Sequence, residues 1–268
     1  MKKLIINADD FGVSSKVNKA IEECWQSGVI TGASVMASGA AFQEAADMLK
    51  KLGKFEVGAH LTLTGGFVPT REAGLINSLI QRNGGFRNSY KDFGLAYLLK
   101  RVDLNQISVE FTGQIEKIKK QGLTITHLDS HEHIHMFPGI LRVTASLAKQ
   151  FNIPYIRMAF EPFSVVRKEC SIRDLARHTA LKMFIPKAKK IISGEESIKH
   201  NDYFWGHFHA ERLNTNILSF IIKNLGEGVN ELAVHPRESS GELDSLLNGG
   251  WRALAELKDV QLITHSIL

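Results

Sequence analysis

Four groups of polar residues in this chain share one kind of position: each lies at or just past the C-terminal end of a short apolar run. Asp9-Asp10 follow Lys-Leu-Ile-Ile-Asn-Ala at 3–8, and His60 sits near the end of 55–61. The stretch His127-Leu-Asp-Ser-His-Glu-His-Ile-His135 follows an alternating, β-branched segment that begins at Leu123, and His235 ends a run that begins at Val229. These runs read as strands. Between them lie helical patterns: Val17, Ala20, Ile21, Cys24 and Trp25 behind a Ser14 or Ser15 cap, then 42–52 stopped by Gly53, 106–120, 137–151, 214–225 and 242–257. Shorter strands are expected at 33–37, 155–158, 201–206 and 260–264. Strand and helix in alternation predict an α/β architecture with parallel strands. A doubly wound open sheet would spread four such strand ends along an edge. A barrel brings them to one mouth, where barrel enzymes place their chemistry. The expected fold is therefore a TIM-like (β/α) barrel of seven or eight parallel strands, with seven suggested by the irregular 187–206.

The bulk numbers fit one such domain over 1–268: the chain is 44% hydrophobic and 23% charged. A long irregular excursion over 62–104, with Gly65-Gly66, Pro69 and Gly84-Gly85, exceeds ordinary connections and reads as a lid or binding loop. The region 160–200 is less regular; Arg173–Phe184 looks helical and Ala188–Ser193 reads as a strand or a helix end. Cys24 and Cys170 share no motif, the N-terminal apolar run is too short for a signal peptide, and no apolar run approaches the ~18 residues of a membrane span. A soluble, cytoplasmic protein is expected. The net charge of +5 comes from scattered lysines and arginines without a basic stripe, so nucleic acid is not an expected partner. The chain lacks a glycine-rich phosphate cradle and a Gly-x-Ser-x-Gly elbow, which argues against nucleotide cofactors and against a serine hydrolase.

The chemistry resides in the strand-end groups. Two adjacent carboxylates at a strand-to-turn junction can diverge, so that one binds a metal while the other faces the reacting water; Gly12 lets the backbone turn tightly behind them. Asp-Asp before a turn can also be a helix cap, a lone His60 an ordinary bonded histidine, and 127–135 a histidine-rich loop. Their joint occurrence outweighs those explanations. One carboxylate plus two imidazoles leaves open positions for water, a set suited to a catalytic divalent ion, and Asp10, His60 and His131 supply it. Imidazole ligands lean toward zinc or another transition metal, whereas magnesium prefers oxygen. His131 and His135, four apart, could share a helix face, which makes His135 a rival ligand, and Asp129 could orient an imidazole.

Asn7-Ala-Asp-Asp-Phe-Gly12, Gly58-Ala-His-Leu-Thr-Leu63, the 127–135 stretch and Glu231-Leu-Ala-Val-His-Pro236 together resemble the YdjC-like carbohydrate deacetylases, the ChbG group, over nearly the whole chain. The resemblance implies a barrel-like fold related to the polysaccharide deacetylases and metal-dependent removal of acetyl groups from N-acetylated amino sugars. It implies His60 and His131 as metal ligands joined by Asp10, with Asp9 as base. The expected cofactor is one divalent ion, zinc or magnesium. His235, arriving from another strand, would protonate the departing nitrogen. The family's last motif usually has Gly after His-Pro; here Arg237 stands there, which bears on the pocket rim.

The expected partner is a small carbohydrate substrate, with a homodimer as a possible assembly. Glu161-Pro162 and Asp202-Tyr-Phe-Trp-Gly206 look similar to the subgroup associated with hopanoid biosynthesis, which implies an amino-sugar lipid. Phe67, Phe86, Tyr90, Phe163 and Trp205 could stack on sugar faces or belong to the core, and His207 and His209 could line the pocket. Two other readings compete: a metal-dependent phosphoester hydrolase, which would need further ligands for a second ion, and a non-catalytic sugar-binding protein on the same scaffold.

Overall fold

Among the described residues, eight parallel strands carry the architecture: β1 (Lys2–Phe11), β2 (Gly32–Val35), β3 (Val57–Leu61), β4 (Ile125–Ser130), β5 (Tyr155–Ile156), β6 (Tyr203–Trp205), β7 (Gly228–Val234) and β8 (Val260–Leu262). The computed structural model describes residues 1–53, 56–162, 179, 182–210 and 212–268. Phe163, Cys170 and most of the helix expected over 173–184 lie outside the described residues.

β1 is buried from Leu4 onward, as a parallel strand covered on both faces should be. The hydrogen-bonded order is β5-β4-β3-β2-β1-β7-β6. β8 pairs with Lys2–Leu4 at the start of β1, and β2 pairs with Asn7 to Phe11 farther along. Seven strands form the path and a short eighth shares β1, which accounts for the expected count of seven or eight. The two ends of the path meet through the segment before β6. Lys199 N–H donates to Pro154 O at 2.7 Å, Ile156 N–H donates to Lys199 O at 3.0 Å, and the Asn201 amide bonds both N–H and C=O of Met158 at 2.8 Å. The sheet therefore curls so that its strand ends face one mouth.

The described helices are α1 (Ser15–Gln26), α2 (Phe42–Leu52), α3 (Tyr90–Leu98), α4 (Leu104–Lys119), α5 (Pro138–Gln150), α6 (Ile185–Ile192), α7 (Thr215–Asn224), α8 (Gly241–Asn248) and α9 (Trp251–Leu257). α1 starts where its pattern predicts: Ser14 Oγ accepts from Val17 N–H, and Val17, Ala20, Ile21 and Cys24 are buried. The 188–193 segment belongs to α6. The single helix expected over 242–257 is two, because Gly249-Gly250 interrupts it and Gly250 adopts φ +64°. The 62–104 excursion holds a 3-10 turn (Ala73–Leu75) and α3, and a Thr64–Arg87 bridge ties it together.

Candidate metal centre

Asp9 and Asp10 diverge through a β-bulge. Between the pairs Ala8–Ala33 and Phe11–Val35, β1 spends one residue more than β2, and Asp10 takes φ +65°. A non-glycine residue in that region is strained, and such strain commonly marks a functional position. Asp9 then reaches toward the barrel interior, to Arg157, while Asp10 meets the histidines.

Asp10 Oδ1 lies 3.3 Å from His60 Nε2, at the end of β3, and 3.1 Å from His131 Nδ1, on the 3-10 turn (His131–Met136) that follows β4. The three residues can each offer a ligand atom within 4.8 Å of the others. Asp129 Oδ1 contacts His60 Nδ1 at 2.9 Å, which fixes the ring and leaves Nε2 toward Asp10. Burial by itself would push the His60 imidazole down, but the Asp129 carboxylate, with Asp10 and Asp9, outweighs it and raises it to about 10. Burial likewise opposes Asp10, yet His131 and His60 hold its carboxyl well below the usual range.

Arg157, at the end of β5 and fully buried, binds three carboxylates. Its Nη1 and Nη2 donate to the two oxygens of Asp9 at 2.7 and 2.8 Å, Nη2 also reaches Asp129 Oδ2 at 2.7 Å, and Nε donates to Glu231 Oε1 at 2.6 Å. Desolvation raises Asp9, but the charge of Arg157, aided by His60 and His235, brings it down to about 2. Asn7 Nδ2 donates to Asp9 Oδ1 at 2.9 Å, and Ser34 Oγ to Asp129 Oδ2 at 2.6 Å.

His235 follows β7 with Nε2 3.8 Å from Asp9 Oδ2, and its backbone N–H donates to Glu242 Oε1 at 2.5 Å. Its Nδ1 is buried with no hydrogen-bond partner among the described residues. Asp9, Asp10, His60, His131, His133 and His235 face one cavity of ≈ 260 Å³. The five residues predicted from sequence as base, acid and ligands are thus brought together at the mouth.

A family model described as "YdjC-like protein" matches residues 3–261. The chain belongs to the YdjC-like family. Among relatives, this YdjC-like chain is 29% identical over 243 residues to a carbohydrate deacetylase of Thermoanaerobacter pseudethanolicus, covering 91% of this chain and 84% of that one. It is 28% identical over 267 residues to one of Listeria monocytogenes, covering 98% and 91%. A Clostridium beijerinckii carbohydrate deacetylase matches at 33% over a shorter span, 57% of this chain and 58% of that one. Among solved structures, a protein from Enterococcus faecalis V583 named for cellobiose-phosphate cleavage superposes with TM-score 0.78 at 23% identity, covering 99% of this chain and 98% of that chain. That likeness supports the fold.

The other residues of the histidine stretch have structural work in this YdjC-like chain. Glu132 and His133 take φ +53° and +55°, so no regular helix face carries His131 and His135 together. His135 is fully buried, with Nδ1 2.5 Å from Ser130 Oγ and Nε2 2.8 Å from Arg157 O, and burial pushes its imidazole down to about 4. Both nitrogens are engaged away from Asp10, so the rival ligand is set aside. His127 stacks on His265 at 3.5 Å, held well below its ordinary value by burial first and by neighbouring positive charge. His133 lines the cavity, with its ring 5.2 Å from those of His207 and Phe204. Of the aromatics, Phe86 and Trp205 are core, Phe67 packs edge-on at 5.7 Å from His131, and Tyr90 starts α3.

Sequence reading assigned no role to Arg157, or to Glu231 and Glu161 within the motifs that contain them. Arg157 and Glu231 had a signal. Arg157 and Glu231 are charges inside short apolar strand runs, where a side chain pointing into a barrel needs a charged partner. Glu161 is buried and accepts from the Gly206 and Phe208 N–H groups at 3.2 and 2.8 Å; burial outweighs those bonds and pushes its carboxyl up to about 7.

Proposed function

We propose that this chain hydrolyses the acetamido group of an N-acetylated amino sugar to acetate and a free amine, using one divalent metal ion held by Asp10, His60 and His131. The observation that carries the reading is the convergence of that set with Asp9 and His235 on one cavity. The carbohydrate deacetylases matched along most of their length support the substrate class. The charge balance of the site fits a cation. Among the described residues, Asp9, Asp10, Asp129 and Glu231 are four buried carboxylates facing the Arg157 guanidinium and the His60 imidazole, two cations against four anions. Such an excess of buried negative charge calls for further positive charge. Two imidazoles and one carboxylate favour zinc over magnesium.

A divalent ion in this set supplies Lewis acidity toward water and the amide oxygen. Asp9 accepts the proton of the attacking water. Held at about 2 and therefore ionised throughout the neutral range, it is always available, and Arg157 keeps it in place. His235 donates a proton to the departing nitrogen; its Nε2 lies 3.8 Å from Asp9 Oδ2, on the same cavity. Phosphoester hydrolysis with two ions would need a second ligand set. The candidate, Asp9 with His60 and Asp129, is already bonded by Arg157, which argues against it.

The test is acetate release from N-acetylglucosamine oligomers and from N-acetylated glycolipids, after chelator treatment and again after adding zinc or magnesium. Release restored by metal is the expected result. No metal-dependent release across the panel would overturn the proposal.

A further inference from the structure

Beyond Lys91 and Asp92 in its first turn, α3 is apolar on both its inner and its outer side. Its inner side rests on the start of α5: Phe93 and Tyr97 lie 6.2 and 4.9 Å from the Phe137 ring, and the Tyr97 hydroxyl accepts from Gly139 N–H at 3.0 Å. Its outer side carries Leu95, Leu98 and Leu99, which are 61%, 66% and 51% exposed and sit three and four residues apart on one face. Exposed leucines grouped on one helix face are ordinarily covered by protein or by lipid. Among the described residues α3 is covered on its inner side, and its three leucines are exposed on the other.

Beside the leucines lies a cavity of ≈ 280 Å³ bounded by Gln81, Arg87, Asp92, Leu95, Leu99 and Arg101. Arg87 Nε is buried with no hydrogen-bond partner among the described residues, an unmet donor that invites an acceptor from outside. The Asp92 carboxylate accepts from the Ser89 hydroxyl at 3.0 Å at the helix start. Across residues 81–103 the charged side chains are Arg82, Arg87, Lys91, Lys100 and Arg101 against Asp92 and Asp103, so five positive and two negative charges leave +3. A leucine face with a basic rim is the composition of a helix that lies at a lipid–water interface.

We infer that the outer face of α3 docks this chain on an anionic phospholipid bilayer, with lipid phosphate in the Arg87–Arg101 cavity and acyl carbons against Leu95, Leu98 and Leu99. Charge selects this occupant over a second copy of the chain. A two-fold contact through the same face would bring Lys91, Lys100 and Arg101 close to their own counterparts. The face and the candidate metal centre share one end of the barrel. The excursion leaves β3 directly after His60-Leu61, Thr64 bridges to Arg87, and Phe67 packs on His131. Docking would therefore hold the mouth near the membrane surface. That consequence for substrate rests on the deacetylase reading; the binding itself does not.

The experiment is co-sedimentation of the full chain with vesicles of phosphatidylcholine, alone or with a third of phosphatidylglycerol, without any substrate. Binding to the phosphatidylglycerol vesicles, weakening as salt rises, is expected. Arg87→Gln and Arg101→Gln should each weaken it about five-fold, the effect of one cationic side chain at a charged surface. Leu95→Ser with Leu98→Ser should weaken it about tenfold or more, since the apolar face supplies the insertion. Leu95, Leu98 and Arg101 are exposed and Arg87 is half-buried, and thermal unfolding checks that the variants remain folded. Equal sedimentation with both vesicle types, undiminished binding by the folded variants, or a concentration-dependent dimer abolished by the leucine changes would each overturn the inference. Acetate release from soluble sugars is measured separately, so failure of docking and failure of the deacetylase reading are distinguishable.

Discussion

Residues on β1, β3 and the turn after β4 contribute every atom of the candidate ligand set, whereas β5, β7 and α8 contribute none and instead govern charge and position around it. Asp10, His60 and His131 come from the first half of the chain. Arg157, Glu231, His235 and Glu242 come from the second. The first half is built from strand ends that stop at the mouth. The second sends a cation from the β5 end into the barrel, where it holds Asp9 and Asp129 together. A ligand set can thus be complete in one part of a chain and still depend on the other for a stable arrangement of buried charge.

The comparison is tested most severely at the one place where both halves face the cavity with proposed proton-transfer groups. Asp9→Asn and His235→Ala should each lower kcat by roughly 10²–10⁴, the usual contribution of a positioned acid or base, while metal content stays at the level of the unaltered protein. Turnover and metal analysis on the same preparations check this. If His235→Ala loses metal, the division into a ligand half and a support half is wrong.

The next largest effect falls on stability. Arg157→Met leaves Asp9, Asp129 and Glu231 buried without their cation, and removing one partner of such a network costs about 3–5 kcal/mol. Urea unfolding should show that loss. Arg157→Lys keeps the charge but cannot present the planar fork that meets both Asp9 oxygens, so it should fall between the two. Equal stability of all three proteins would mean that the network contributes nothing net.

Two carboxylates of the second half sharpen the point because they shift in opposite directions. Burial would raise Glu231, but Arg157 and His265 bring it down to about 2, whereas burial pushes Glu161 up to about 7 against the backbone N–H groups that bond it. Between pH 4.5 and 7 the folded chain keeps the Glu161 proton that the unfolded chain has released, so unfolding free energy from this group is highest at the acid end and falls as pH rises through 7. The change amounts to roughly 3 kcal/mol. Unfolding measured across that window should show the decline, and Glu161→Gln should flatten it. A decline that persists in Glu161→Gln assigns it to another group.

The same contrast explains what could be read from sequence. Alternating strands and helices, and the strand-end placement of Asp9-Asp10, His60, His131 and His235, are patterns along the chain, and they led to the fold and to a cluster that the structure gathers in one cavity. The roles of Arg157 and Glu231 were not found, because what fixes them is a partner 148 or 74 residues away in sequence. Nor could spacing settle His131 against His135. Two left-handed residues between them break the helix face that an interval of four suggests. The leucines of α3 fell within an irregular excursion, where a nine-residue helix gives little periodic signal.

Asp129 is where the two halves meet, and it gives the smallest expected effect and the finest test. It lies on β4, one oxygen on His60 Nδ1 at 2.9 Å and the other within 2.7 Å of Arg157 Nη2. Asp129→Asn preserves the shape and an acceptor for the His60 ring but removes the charge that makes the imidazole a stronger donor to metal. Loss of such an orienting carboxylate typically lowers metal affinity about 10–100-fold. Competition against a chromophoric chelator would measure it. If metal affinity falls in Asp129→Asn while Asp9→Asn leaves it unchanged, Asp129 supports the ligand set and Asp9 serves the chemistry. An equal fall in both would instead make the Arg157 network a single unit, with the metal site sensitive to any charge removed from it.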